Sequence, residues 1–230
     1  MLKKILALSP LLLLQWNSQA QQKSNYSQYD LFNPLFNYTL STPTRSGTGS
    51  PGATYWQNQA DYKINVSLDD QKNTLDGDVE ITYKNASPDK LNFLWLQLDQ
   101  NQFNNQSRGS ATTPISGGRF GNVNFNGGYT IKSVTIDGKP AEFVVEDTRM
   151  QIRLSNPLVE KVGSAKIKIA YSFQIPKYGS DRVGMHEAQQ GTIYEIAQWY
   201  PRMCVYDDIE GWNVLPYLGA GEFYLEYGNF

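Results

Sequence analysis

The chain holds few residues of the types that perform chemistry. One cysteine, Cys204, and one histidine, His186, occur among 230 residues. A single cysteine excludes an internal disulfide or a thiolate zinc cluster, and a single histidine excludes a two-histidine metal site. No histidine stands near Cys204 in sequence to act as its base, so a buried free thiol is favoured over a nucleophile. The sequence therefore predicts no catalytic and no metal-binding residue in this chain.

An acidic cluster is the remaining metal candidate. Asp207, Asp208 and Glu210 precede Gly211, and carboxylates of this kind can hold Ca²⁺. However, they lack the regularly spaced oxygen ligands and the glycine of a calcium loop. A turn closed by aspartate side-chain hydrogen bonds is the favoured interpretation.

Aromatic residues are concentrated near the C-terminal end of the chain. The densest zone contains Trp199, Tyr200, Trp212, Tyr194, Tyr206 and Tyr217. Aromatic rings on a β-sandwich can stack on sugars, so a carbohydrate- or protein-binding surface module stays open as an alternative function. Since aromatic side chains dominate the energetics of burial, core and interface positions are the favoured interpretation.

The charge balance excludes one class of partner. With 20 basic against 22 acidic residues and no basic run, the electrostatic footprint of a nucleic-acid-binding protein is missing. Only 18% of the residues are charged, against 5 Trp, 15 Tyr and 10 Phe. This composition suits a β-rich domain, and the length suits one large domain or two small ones.

Residues 1–20 have the features of a secretory signal. Lys3 and Lys4 precede an apolar run, Ile5–Leu14, and the small-residue site Ser18–Ala20 follows it. We predict cleavage after Ala20 and a secreted or periplasmic protein. The apolar run is about half of the roughly 20 residues that cross a bilayer, so no transmembrane segment is predicted.

The elements that must position any site begin after a polar leader. Residues 21–54 are rich in Gln, Asn, Ser, Thr, Pro and Gly and are predicted to pack loosely or not at all. From Tyr62 onward, apolar and polar residues alternate with the two-residue period of half-buried strands. The predicted domain is therefore 55–230. Strands are predicted at 62–68, 79–83, 91–98, 129–137, 142–146, 150–154 and 167–175.

Turn signals complete the fold prediction. Asp76-Gly77 and Asp137-Gly138 are dipeptides typical of hairpin turns. The Gly-, Asn- and Ser-rich tract 101–128 is predicted to be an insertion at a sheet edge. Together these patterns predict an all-β fold, an antiparallel β-sandwich or saddle. Alternation resumes at 222–227 and the sequence stops three residues later, which we interpret as a reading frame cut inside a domain.

One segment resembles a known family. The heptapeptide Ile196–Arg202 (Ile-Ala-Gln-Trp-Tyr-Pro-Arg), followed by Tyr206–Asp208 (Tyr-Asp-Asp), resembles the end of the N-terminal β domain of aminopeptidase N-like zinc metallopeptidases, the gluzincins that include leukotriene hydrolase. The patterns at 62–68, 75–77, 81–85 and 91–98 resemble the opening strands of that domain. The resemblance covers roughly 55–230.

The resemblance implies a role and two site residues. In the family this domain leans on a catalytic domain that carries a His-Glu-x-x-His helix, a downstream Glu and a zinc ion, none of which this chain encodes. Gln198 matches the family's first glutamine, near the amine of the peptide substrate, where its carboxamide oxygen can accept a hydrogen bond. Tyr200 stands where the family often has a Glu or Gln. A phenol accepts one hydrogen bond but carries no charge at neutral pH, so we expect weaker anchoring of the amine.

Overall fold

The computed structural model describes residues 41–112, 125–177, 182–219, 221 and 223–230. The predicted signal at 1–20, most of the leader and part of the 101–128 tract lie outside these ranges. The chain divides into two units, Met1–Tyr55 and Trp56–Phe230. In the first unit, a tight loop joins Arg45 to Pro51 through an isolated β-bridge.

The second unit consists almost entirely of strands. In chain order they are β1 (Gln59–Asp69), β2 (Thr74–Asn85), β3 (Leu91–Gln97), β4 (Thr130–Ile136), β5 (Lys139–Pro140), β6 (Phe143–Glu146), β7 (Arg149–Leu158), β8 (Gly163–Gln174), β9 (Val183–Ala188), β10 (Gly191–Ile196), β11 (Arg202–Met203), β12 (Tyr206–Asp207) and β13 (Gly211–Trp212). Every pairing between them is antiparallel.

Two sheets supply the core. One has five strands in the order β1-β2-β8-β4-β5, and the other has four in the order β11-β3-β7-β6. On β8 alternate residues are buried, as the period of a half-buried strand requires. These residues join Leu94 and Leu96 of β3 and Met150 and Ile152 of β7 in one hydrophobic core. The predicted all-β, antiparallel fold is confirmed.

One of the two predicted hairpin turns is wrong. Asp76 and Gly77 lie inside β2, and the β1–β2 turn falls at 70–73, where Asn73 has a positive φ of 53°. Gly77 is required for a different reason, because a Cβ at this position would lie 2.7 Å from Cζ of Tyr171. The Asp137-Gly138 prediction is confirmed, since these residues join β4 to β5 with φ values of 49° and 79°.

The start of the 101–128 tract, predicted to be an insertion at a sheet edge, is helical. A 3-10 helix spans Asp99–Phe103, and a short helix, α1, spans Arg108–Thr112. The hydroxyl of Ser107 accepts a hydrogen bond from the Ser110 amide at 2.9 Å and caps α1. The 3-10 helix follows β3 directly and brings polar side chains beside the β10–β11 connection.

The last residues of the chain lie along the outer edge of β1. The amides of Ala60 and Tyr62 donate to the carbonyls of Tyr227 and Asn229 at 2.8 and 2.7 Å. Among the described residues of the alternating stretch, 223–227, only Tyr227 forms a β-bridge, which is parallel to Gln59. The Phe230 ring stacks on Tyr62 with its centroid 4.8 Å away. In the part of the chain that the structure describes, no helix has the length and apolar character needed to cross a membrane.

Candidate functional site

Both predicted site residues lie on one short connection. Residues 197–201 join β10 to β11 and carry Gln198 and Tyr200, both half-buried. Gln198 has a φ of 52°, a left-handed conformation that side chains other than glycine and asparagine disfavour. The backbone at Gln198 must therefore be held by its surroundings.

Two side chains hold the Gln198 backbone. The carbonyl of Gln198 accepts hydrogen bonds from Nε2 of Gln100 and from the hydroxyl of Tyr129, each at 3.1 Å. Nε2 of Gln100 also donates to the carbonyl of Ala197 at 3.1 Å. Gln100 is fully buried in the 3-10 helix. The connection is thus fixed from the side of the core.

A buried ion pair fixes the end of the same connection. Nε and Nη2 of Arg202 donate to Oδ2 and Oδ1 of Asp99 at 2.7 and 3.0 Å. Burial opposes the charge of Arg202, but the hydrogen bond and the charge of Asp99 outweigh it and raise the pKa of the guanidinium. The Phe223 ring lies over the guanidinium, 5.8 Å from its carbon. Asp99 and Gln100 are neighbours in sequence, so one 3-10 helix holds both ends of the loop.

The two predicted side chains have different surroundings. The Gln198 carboxamide has no hydrogen-bond partner among the described residues. The ring of Tyr200 packs edge-on against Tyr62 and Trp199, with centroids 5.6 and 5.2 Å away. Burial raises the pKa of the Tyr200 phenol, so the group stays uncharged at neutral pH.

A cleft of about 830 Å³ has Tyr129 among its lining residues. Its described lining comes from the start of β2, the 3-10 helix, α1, the segment 126–130, the β6–β7 turn and the end of β8, and it includes neither Gln198 nor Tyr200. Charged groups on its wall pair with one another, since Arg108 lies 3.6 Å from Glu146 and 3.9 Å from Asp147. Two hydrogen bonds of Tyr129 connect the cleft wall to the Gln198 loop. Its amide donates to Oδ1 of the lining residue Asn101 at 2.8 Å, and its hydroxyl donates to the carbonyl of Gln198.

Asp99, Gln100 and Tyr129 were not singled out by the sequence patterns. A signal for the first two exists, because a polar pair directly after the buried strand Leu91–Gln97 has to find partners inside the protein. Tyr129 offers no such signal. Its contact with Gln198 depends on how β4 and the β10–β11 connection meet in the fold.

The remaining candidate groups lie in three different surroundings. Cys204 is buried, and burial raises the pKa of its thiol well above the usual range, so it lacks the thiolate character of a nucleophile. Oδ1 of Asp207 accepts the amides of Ile209 and Glu210 at 2.9 and 2.8 Å, which is the predicted aspartate turn. His186 is exposed on β9, paired with Ile193 of β10.

The aromatic zone separates into two packed clusters. Trp199 and Tyr200 belong with Tyr62 and Phe230. Trp212 packs with Tyr206 and Tyr83, whose ring centroids lie 5.2 and 6.0 Å away. Trp199, Tyr200, Tyr206 and Trp212 all pack against the hydrophobic core, as the favoured interpretation of these aromatics expects.

No protein-family model and no curated protein matches this chain. Among solved structures, it is similar to a mutant M1 zinc metallopeptidase from Deinococcus radiodurans, at 12% identity over 70% of this chain and 29% of that chain, with a TM-score of 0.35. A form of that enzyme bound to a Tyr-Ser-Ala substrate matches at 12% identity over 51% and 20% of the two chains, with a TM-score of 0.33. A two-domain M1 zinc metallopeptidase bound to L-tryptophan matches at 12% identity, 58% and 24% coverage and a TM-score of 0.34.

The chain spans less than a third of the length of these metallopeptidases.

Proposed function

We propose that this chain is the N-terminal β domain of a secreted, aminopeptidase-like zinc metallopeptidase and that it forms one wall of the peptide cleft. In this proposal Gln198 and Tyr200 meet the amino terminus of the peptide. The resemblance of the Ile196–Arg202 segment to that family supports the assignment, and an antiparallel β architecture is compatible with it.

The main support for the proposal comes from the hydrogen bonding of Gln198. Its backbone is held in an unfavourable conformation by Gln100 and Tyr129, yet its side chain has no hydrogen-bond partner in the described ranges. A half-buried carboxamide on a fixed loop offers an acceptor oxygen to an ammonium group at a small entropic cost. This arrangement suits recognition of a free amino terminus.

Tyr200 adds an uncharged wall beside Gln198. Its phenol oxygen can accept one hydrogen bond, and its ring is supported by Tyr62 and Trp199. A phenol is neutral at pH 7 and burial raises its pKa further, so Tyr200 supplies no charge to hold the ammonium. We therefore expect weak amine binding, with part of the affinity coming from contact between the ring and the first side chain of the peptide.

No group of three or more His, Cys, Asp or Glu side chains in the described residues could hold a metal ion. In the proposal, zinc and the residues that act with it belong to a following domain, and residues 1–20 direct the protein out of the cytoplasm. The gene should then encode His-Glu-x-x-His and a downstream Glu beyond Phe230, and absence of that motif would contradict the proposal.

Ligand binding tests the role of Gln198 directly. Alanyl-alanine amide should shift the side-chain amide resonance of Gln198 in NMR spectra of the 230-residue chain, and its N-acetylated form should not. The resonance is assigned by its loss in Gln198→Leu, which should also abolish binding. Equal shifts with both peptides, or none with either, would contradict amine recognition by this residue. With zinc added, the chain should hydrolyse no aminoacyl arylamide.

A further inference from the structure

The left-handed backbone of Gln198 is unusual for its residue type. Of the six non-glycine residues with positive φ in the described chain, three others are Asn73, Asp137 and Asp147, whose short polar side chains stabilise this conformation locally. A glutamine has no such local compensation. The conformation therefore depends on contacts made by the rest of the fold.

Gln100 supplies one of those contacts. It is 1% exposed, and its Nε2 donates to two successive carbonyls, those of Ala197 and Gln198. Two carbonyls of a chain can point at one donor only when the backbone between them is bent. The two hydrogen bonds, for which the NH₂ group has two donors, therefore select the bent form of the loop.

Tyr129 supplies the second contact from another direction. Its ring packs edge-on against Tyr171 and Phe173, each with a centroid 5.5 Å away, so the hydroxyl has little freedom to move. That hydroxyl donates to the carbonyl of Gln198 at 3.1 Å. A single carbonyl oxygen thus receives both donors, one on each of its lone pairs.

We propose that Gln100 and Tyr129 are positioning residues for amine recognition, acting only through the main chain of Gln198. By fixing the carbonyl, they hold the loop in the one conformation that presents the Gln198 carboxamide. This inference rests on the proposed function, since it assigns the selectivity of the same site to two residues that do not touch the peptide. Without them, Gln198 relaxes to ordinary backbone angles and its side chain changes direction.

The test uses two substitutions that each remove hydrogen bonding while preserving volume. Tyr129→Phe removes only the hydroxyl and keeps the edge-on ring contacts. Gln100→Met keeps a long side chain without the donor. In the 230-residue chain, each should weaken the binding of alanyl-alanine amide about fivefold, as expected for the loss of a hydrogen bond to a buried carbonyl. The preference over N-acetyl-alanyl-alanine amide should fall by the same factor.

Tyr194→Phe is the matched control. It also removes a hydroxyl, which donates to Oδ1 of Asn73 at 2.7 Å and to the carbonyl of Asp70 at 3.5 Å, and neither partner belongs to the Gln198 loop. It should lower the melting temperature without changing the preference between the two peptides. A lowered melting temperature with an unchanged preference in Tyr129→Phe and Gln100→Met would mean a structural role only and would overturn the inference.

The two proposals fail in different ways. If the unsubstituted chain does not distinguish the free amine from the acetylated peptide, the proposed function itself is wrong. If the unsubstituted chain distinguishes them and both variants do so equally well, only the positioning role is wrong. Should one variant not fold, the other alone decides the outcome, because the two residues bond the same oxygen.

Discussion

Asp99 and Arg202 form a bidentate ion pair inside the protein, joining residues 103 positions apart in the sequence. Both side chains are almost fully buried, at 0% and 8% exposed. The pair binds the 3-10 helix after β3 to the strand that follows the Gln198 loop. A charge pair in such surroundings is costly to break, although it is not necessarily a net gain over an apolar pair.

Arg202→Leu should therefore destabilise the domain by about 3–5 kcal/mol, because it leaves the Asp99 carboxylate buried without its partner. Urea unfolding at neutral pH measures this loss. The control is Lys166→Ala, which removes a solvent-exposed pair with Glu80 at 3.3 Å and should cost less than about 1 kcal/mol. Equal losses for the two variants would show that the Asp99–Arg202 pair is not a buried constraint.

Gly77→Ala should destabilise the protein by about 1–3 kcal/mol through overpacking. The new methyl group would meet Cζ and Oη of Tyr171 at 2.7 Å. In a double-mutant cycle with Tyr171→Leu, the two losses should be less than additive, because the shorter side chain makes room for the methyl. Additive losses would mean that position 77 requires glycine for its backbone conformation and not for the space that the Tyr171 ring occupies.

Glu226 should make stability depend on pH. Burial raises the pKa of its carboxyl from the ordinary 4.5 to about 7, which the hydrogen bond from the Tyr206 amide opposes and the charge of Asp207 increases. Between pH 4.5 and about pH 7, Glu226 keeps its proton in the folded protein, whereas the unfolded chain has released it. The contribution of protonated Glu226 to the free energy of unfolding is thus complete below about pH 4.5 and is lost as the pH rises through about 7.

Glu226→Gln keeps an acceptor for the Tyr206 amide and removes the titration. Chemical unfolding of both proteins across pH 4.5 to 8 should show a downward slope in the parent that is reduced in the variant. Identical slopes would assign the pH dependence to other groups.

Cys204 should resist thiol reagents in the folded protein. It is buried, and burial raises the pKa of its thiol well above the usual range, so the reactive thiolate is scarce at neutral pH. Labelling with a disulfide reagent should be slow in buffer and accelerate with urea in parallel with unfolding. Rapid stoichiometric labelling of the native protein would contradict this placement.

Sequence periodicity is sufficient to predict most of the architecture. The alternation along β8 sets one buried face, and a strand shifted by one residue would expose that face, so the pattern predicts the strand and its orientation together. Gly77 shows where local sequence patterns fail to predict the structure. The dipeptide Asp76-Gly77 is typical of a turn, and only the approach of Tyr171 from β8, 94 residues later, explains a glycine inside β2.

The residues of the candidate site can also be predicted only in part from the sequence. The residue types at Gln198 and Tyr200 can be read from a local motif, because the motif is contiguous. The residues that hold them cannot, since Gln100 and Tyr129 reach the loop from segments 98 and 69 positions away. Their contact with a main-chain carbonyl leaves no mark in the sequence of the loop itself.

The pairing of the last residues with β1 bears on how the domain is made. Asn229 bonds Asp61 across 168 positions, so the outer edge of β1 gains this cover only after those intervening residues have been synthesised. Until then an unpaired strand edge is open to association with other chains, and contacts between such distant positions form slowly. The nascent domain therefore passes through a period in which aggregation competes with folding, and the arrival of Tyr227 and Asn229 ends it.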